Sequence, residues 1–300
     1  YVPVLLLHLV SLGYLLLQRQ KSRQSWLFCG WLGGMTLMTA TQCAAGLVHA
    51  PRASAYLGWW GGVIGVSLAI VALLQFAYHF PRLRYPREAR WALGISLAIT
   101  AGLFAWMFWE TWRTWDHQLY ATSPPHPDLA LTTQAKWLLY DFERAIFGLA
   151  EARDAGFWVS FKFFDRWQIV GNLWVLLIWI RKTVQFSAAP DPGSLPRRAW
   201  AAFCRPQGRE AQLSRAWAGL MLLAPLTVLA SILDAASMLP PGVFPAIQML
   251  VLFAIMLTYV NYAPEPTTMM VKLVGISLVT LLVILGFVSG YALEAQQQAW

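Results

Sequence analysis

Charge is scarce in this sequence, and so are the motifs from which soluble enzymes usually assemble their active sites. Charged residues make up 12% of the 300, against about 25% in ordinary soluble domains. The three cysteines, Cys29, Cys43 and Cys204, have no metal-ligand spacing and read as free thiols rather than a disulfide framework. A Walker loop, a dinucleotide fingerprint, HExxH and GxSxG are all missing, so catalysis is not expected and no cofactor is predicted. There is no internal repeat and none of the alternation that marks barrel strands. The chain opens at Tyr1 rather than Met, with no basic stretch ahead of the first apolar run. It reads as a processed chain or a piece of a longer one, and a signal peptide is not supported.

What remains is apolar. Hydrophobic residues reach 58% and the mean hydropathy is +0.51. Nearly uncharged stretches of about 20 residues recur, the length at which a helix crosses a hydrocarbon core. Backbone groups in lipid bond within their own segment, so such stretches are helices. The expected fold is all-α, a polytopic integral membrane bundle of about eight helices: Val2–Leu17, Ser25–Val48, Leu57–Phe80, Trp91–Trp109, Trp158–Ile180, Trp217–Ala236, Phe244–Tyr262 and Leu273–Ala292. Many of the 17 Trp flank these runs, as expected of a ring with one polar atom at a membrane–water boundary. The first run is short for a span. The fifth carries Lys162, Asp165 and Arg166 in its first half, which predicts an interfacial outer end.

The basic residues alternate by connection. Arg19, Lys21 and Arg23 follow the first run, and Arg82, Arg84, Arg87 and Arg90 follow the third. Arg181, Lys182, Arg197, Arg198, Arg205, Arg209 and Arg215 follow the fifth. The intervening short connections hold Arg52 alone or no basic residue. Basic connections face the cytoplasm, which predicts a multi-pass protein of the plasma membrane with its N-terminus outside. By the same parity the chain is outside again at Trp300, so a cytoplasmic output domain beyond it would need another crossing. The net charge of +8 then belongs to cytoplasmic connections. Residues 181–216 form the largest of these, a linker holding Pro190, Pro192, Gly193 and Pro196. Its expected partner is the anionic headgroup layer of the bilayer. Nucleic acid is not expected, because only Trp200 and Phe203 accompany these charges.

The largest outer segment runs from Glu110 to about Gly156. Ser123–Asp128 is turn-rich, and Thr133–Glu151 has the period of an amphipathic helix lying on the outer leaflet or capping the bundle. A ligand-sensing or docking surface there is the alternative. Gly30 with Gly34, Gly61 with Gly65, and Gly286 with Gly290 have the spacing that lets helices approach closely. This predicts packing within the bundle, with a homodimer or larger membrane complex left open.

Few polar residues invite a chemical role. His8 and His49 both fall toward the outer side and are weak candidates for holding a haem or metal; interfacial histidines are the plainer expectation. His79 sits at the other end, and His117 and His126 lack ligand spacing. Asp234 is the one acidic residue in the sixth run, a position that can mark an ion route. Pro240 and Pro241 follow it closely, which predicts a solvated end position. The charges near the midplane and the two related halves expected of a transporter are absent.

The stretch Asn261-Tyr-Ala-Pro-Glu-Pro-Thr-Thr-Met-Met-Val-Lys-Leu-Val-Gly-Ile-Ser277 stands apart. Pro264 and Pro266 stop one helix, Glu265 and Lys272 can pair, and Thr267 or Thr268 can cap the next. It resembles the last inner connection of the seven- or eight-helix membrane sensor regions of bacterial signalling proteins: histidine kinases, nucleotide cyclases and serine phosphatases. The Phe76-Ala-Tyr-His-Phe-Pro-Arg82 end of the third run is similar to their aromatic–Phe-Pro-Arg helix ends. The resemblance implies a sensory module without catalytic activity of its own, with Asn261, Pro264, Glu265, Pro266 and Lys272 as signal-transmission candidates. Competing expectations are a non-catalytic subunit of an electron-transfer or photosynthetic complex, and a small-solute transporter.

Overall fold

The computed structural model describes residues 2–17, 21–47, 51–113, 159–187, 195–235 and 243–262, together with Thr280 and Ile284. All the regular structure among them is helical. In chain order the helices are α1 (Val2–Leu17), α2 (Arg23–Leu47), α3 (Pro51–His79), α4 (Pro86–Arg113), α5 (Val159–Phe186), α6 (Leu195–Cys204), α7 (Arg209–Met221), α8 (Ala224–Ala235) and α9 (Val243–Tyr262).

Four of these are long and apolar enough to cross a membrane: Trp60–His79 in α3, Pro86–Trp109 in α4, Arg166–Phe186 in α5 and Val243–Val260 in α9. α1 is apolar but has only 16 residues. α2 is not among the four, although it has 25 residues; Thr36, Thr39, Thr41 and Gln42 interrupt its apolar run. The apolar faces are open rather than covered. Trp91, Phe108 and Trp109 on α4, and Leu173 and Leu177 on α5, are all more than half exposed. Exposure of this kind over whole helix faces suits hydrocarbon rather than water.

The sixth apolar run was expected as one helix, Trp217–Ala236, but it is divided. α7 ends at Met221 and α8 begins at Ala224, with a turn at Leu222 and Leu223. Pro225 accounts for the break. It has no N–H to offer the Met221 carbonyl, and its ring would collide with that group in a continuous helix. The fifth run departs in the other direction. It was expected to end at Ile180, but α5 continues to Phe186 and takes Arg181 and Lys182 with it. The basic connector after it is likewise partly helical, through α6 and the start of α7. The amphipathic segment Thr133–Glu151 and the eighth run, apart from Thr280 and Ile284, lie outside the described residues.

α2 and α3 pack antiparallel along their length, and glycine sets how close they come. A Cβ on Gly34 would meet the Gly65 carbonyl oxygen at 2.5 Å, and one on Gly65 would meet the Gly34 carbonyl at 2.5 Å. Gly61 faces the Thr41 side chain, and Gly30 faces Ala72. The Gly30/Gly34 and Gly61/Gly65 pairs therefore serve packing within the chain. α5 joins the same unit through Gly171, where a Cβ would press on Ile70 of α3. α1 lies against α2, and α9 contacts α1, α7 and α8.

Because the atoms opposing Gly65 are backbone, the helices have to separate to admit a methyl group. Gly65→Ala should cost about 1–3 kcal/mol of stability through overpacking, read as a lower thermal midpoint in detergent. Gly94→Ala, where the added Cβ meets nothing within 4 Å, should lower it not at all. Equal effects from the two substitutions would contradict the close α2–α3 contact.

Candidate functional site

The last turn of α3 and the chain just beyond it are the most heavily bonded part among the described residues. Pro81 has no N–H and ends the helix, and the Phe80–Pro81 peptide is cis. Ending a helix leaves its last carbonyls without intrahelical donors. Here every carbonyl from Gln75 to Arg82 is met. His79 Nδ1 donates to the Gln75 oxygen at 2.8 Å, and the Phe80 amide donates to Phe76 at 2.8 Å.

The remaining six are taken by two side chains from other helices. Lys182 Nζ, on α5, donates to the carbonyls of Ala77, Tyr78 and Phe80 at 2.7 Å each and to Arg82 at 3.1 Å. Gln24 Nε2, on α2, donates to His79 at 2.9 Å and to Pro81 at 3.0 Å. An ammonium has three protons, so the longest of the four Lys182 contacts shares one. Lys182 is fully buried. Its positive charge sits where the C-terminal end of a helix is partially negative, which is how a buried cation without a direct ion pair among the described residues is accommodated here.

A second tier ties α3 to α4 and α5. Gln75 Nε2 donates to the Ala89 carbonyl at 3.0 Å. The Tyr78 hydroxyl donates to Glu88 Oε1 at 2.8 Å and accepts from Trp174 Nε1 at 3.1 Å. Arg181 completes the Glu88 carboxylate with a 2.8 Å ion pair and lies over the Tyr85 ring, 3.9 Å from its centre. Arg181 and Glu88 are both substantially exposed (48% and 38%), so solvent screens the pair and little stability follows from it. The buried ammonium carries more weight, because no water can replace it.

Below the cage lies a cluster of six aromatic rings, all fully or almost fully buried. Tyr259 of α9 stacks on Phe28 of α2, with centroids 4.1 Å apart and planes 14° from parallel. Its hydroxyl donates to Ser25 Oγ at 2.7 Å. Phe76 and Phe80 stack at 5.0 Å, and Phe76 meets Trp217 of α7 edge-on at 5.0 Å. Trp179 and Trp217 stack at 5.8 Å, and the Lys182 ammonium stands 5.6 Å from the Trp179 ring centre. The two tiers and the cluster together join α2, α3, α4, α5, α7 and α9. With its protons engaged by carbonyls, Lys182 fastens α5 to the end of α3.

The residues singled out from sequence fall elsewhere or only touch this site. His8 is buried on α1, its Nδ1 3.4 Å from Thr39 Oγ1; His49, its expected companion, lies outside the described residues. No three His, Cys, Asp or Glu side chains come together as a metal group among the described residues. Asp234 falls in the last turn of α8, and Asn261 in the last turn of α9. Pro264, Glu265, Pro266 and Lys272 lie outside the described residues. The segment Phe76–Arg82 supplies most of the carbonyls in the cage. Lys182, Gln24 and Gln75 were not singled out at all. A lysine two residues past an apolar run ordinarily snorkels to water, and nothing in the one-dimensional pattern distinguishes this one. No protein-family model, curated protein or solved structure matches the chain.

Removing the ammonium should be far costlier than breaking the surface pair. Lys182→Met strands several buried carbonyls and should destabilise the protein by roughly 3 kcal/mol or more. Glu88→Gln keeps an acceptor for Tyr78 and should cost less than about 1 kcal/mol. Thermal unfolding of both variants in one detergent, followed by helical circular dichroism, orders the two effects; similar small losses would mean that the carbonyls find other donors.

Proposed function

We propose that this chain is a membrane-embedded sensory module that transmits helix movement and catalyses nothing itself. In this reading it crosses the plasma membrane eight times, with its N-terminus outside and its basic connections, Lys182 included, on the cytoplasmic side. The observation that carries the proposal is the seat of Tyr259. It is stacked on Phe28 and bonded to Ser25, two residues before Asn261, where the connector resembling those of signalling proteins begins.

The cage around the end of α3 supports a division of labour. α2, α3 and α5 are locked by six charge-assisted or amide hydrogen bonds. α9 is held at this end by the stacking of Tyr259 and by its hydroxyl bond to Ser25. A signal needs an element with two arrangements of similar energy, and α9 meets this end through aromatic rings and a hydroxyl rather than through the ammonium and amide that cap α3. An outer or lipid-soluble cue that shifts α9 against the fixed helices would move the Asn261–Ser277 connector, and through it an output domain in the same polypeptide. The basic connections would face anionic headgroups throughout.

The full polypeptide tests this. A catalytic signalling domain translated beyond Trp300, after one further crossing, is the expected finding. In that polypeptide Tyr259→Phe removes a hydrogen bond of about 1 kcal/mol and should change output activity several-fold without reducing the amount of folded protein. A polypeptide that stops at Trp300 and purifies in fixed ratio with redox or pigment-bearing subunits overturns the proposal in favour of a non-catalytic subunit of such a complex.

A further inference from the structure

We infer that the start of α4 carries a specific binding site for the phosphate of an anionic phospholipid, formed by Arg87, Arg90 and Trp91. The inference rests on the membrane reading above and adds to it a defined lipid and a defined place. Arg87, Arg90 and Trp91 are three and four residues apart and so share one face of the helix. They line an open groove of about 400 Å³. All three side chains are exposed, Trp91 by 73%.

Among the described residues the charge in this groove has no counter-ion. Glu88 is the only carboxylate between Arg82 and Trp91, and its two oxygens are occupied by Tyr78 and Arg181. Among the described residues neither Arg87 nor Arg90 has an ion pair or a side-chain hydrogen bond. Two neighbouring guanidinium groups held without a partner attract an anion, and their forked N–H donors fit phosphate oxygens two at a time.

The position selects lipid over a soluble anion. The apolar stretch Pro86–Trp109 begins at this groove, so a phosphate bound between Arg87 and Arg90 has hydrocarbon one turn further along. Trp91 marks that boundary, its exposed ring available to acyl chain and glycerol. The exposed Ile95 on the next turn continues the same face, a surface for an acyl chain. A zwitterionic choline lipid would bring a cation into a groove that already carries two, whereas phosphatidylglycerol brings only negative charge and hydroxyl groups.

Native mass spectrometry of the detergent-solubilised full chain tests the site, with phosphatidylglycerol and phosphatidylcholine added in parallel. The expected result is selective retention of phosphatidylglycerol, weakened roughly tenfold in R87Q/R90Q and unchanged in R205Q/R209Q, which removes as much exposed charge from another connection. Equal loss in both double variants would show diffuse attraction and overturn the site. Displacement of the lipid by inorganic phosphate, with phosphate itself retained, would assign the groove to a soluble anion and overturn the lipid. Thermal unfolding of R87Q/R90Q at the wild-type midpoint separates lost binding from lost folding. If that variant does not fold, photo-crosslinking of the wild-type chain with a phosphatidylglycerol probe decides instead: labelling on residues 87–95 supports the site, and labelling only elsewhere overturns it. A chain that enters vesicles of any composition but shows no lipid preference sinks this inference alone, whereas a chain that stays out of all vesicles sinks the membrane reading beneath it.

Discussion

A helix that ends among packed side chains presents carbonyl oxygens shielded from water, and α3 ends in this way: the carbonyls of Ala77, Tyr78 and Phe80 are bonded in the buried interior. Its terminus is followed by Pro81, which offers no amide hydrogen, so the chain cannot satisfy its own oxygens by winding a further turn. Each unmet acceptor would cost about 1–3 kcal/mol. Six of these oxygens need donors from outside, and the five N–H groups of Lys182 and Gln24 meet them, one being shared. Much of the surrounding geometry follows from bringing those two side chains to one place.

Lys182 reaches the carbonyls because α5 stays helical beyond its apolar stretch and because Gly171 lets it lie close on Ile70 of α3. Gln24 reaches them because α2 runs against α3 with backbone meeting backbone at Gly34 and Gly65. A methyl group at either glycine contact would pull a donor away from the end of α3, although both lie well along the helices from it. The aromatic cluster fills the space enclosed by this convergence, and through Trp217 and Tyr259 it extends the same unit to α7 and α9.

Charge at this end of the bundle is sorted by direction. Lys182 points inward, where helix-end carbonyls replace water around it. Arg181 and Glu88 neutralise each other at the rim. Arg87 and Arg90 are exposed, with no ion pair among the described residues. Basic residues at one end of the bundle thus have three different roles: internal fastener, surface pair and proposed lipid contact. Only the first contributes heavily to the fold, since exposed charges remain hydrated whether or not they are paired.

Much was legible before any coordinates. The long uncharged runs dictated helices, because apolar segments of that length admit no other way of satisfying their backbone. The paired glycines Gly30/Gly34 and Gly61/Gly65 marked a close helix contact, and Phe76–Arg82 was visible as a helix end because proline forbids continuation. The division at Leu222–Leu223 was also within reach, since Pro225 stands in plain view, but the hydrophobicity of Trp217–Ala236 hid it. What the linear pattern could not supply was the partner of each polar group. Lys182 reads as one more basic residue in a charged connector, and Gln24 as a polar residue at a helix start. A side chain becomes a cap only when the carbonyls of another helix, about a hundred residues away in the chain, are placed within 3 Å of it. Local composition determined the helices and their apolar faces; the close packing of α2, α3 and α5 decided which of the few polar atoms would be buried together, because a buried donor and acceptor specify each other only after both have lost water.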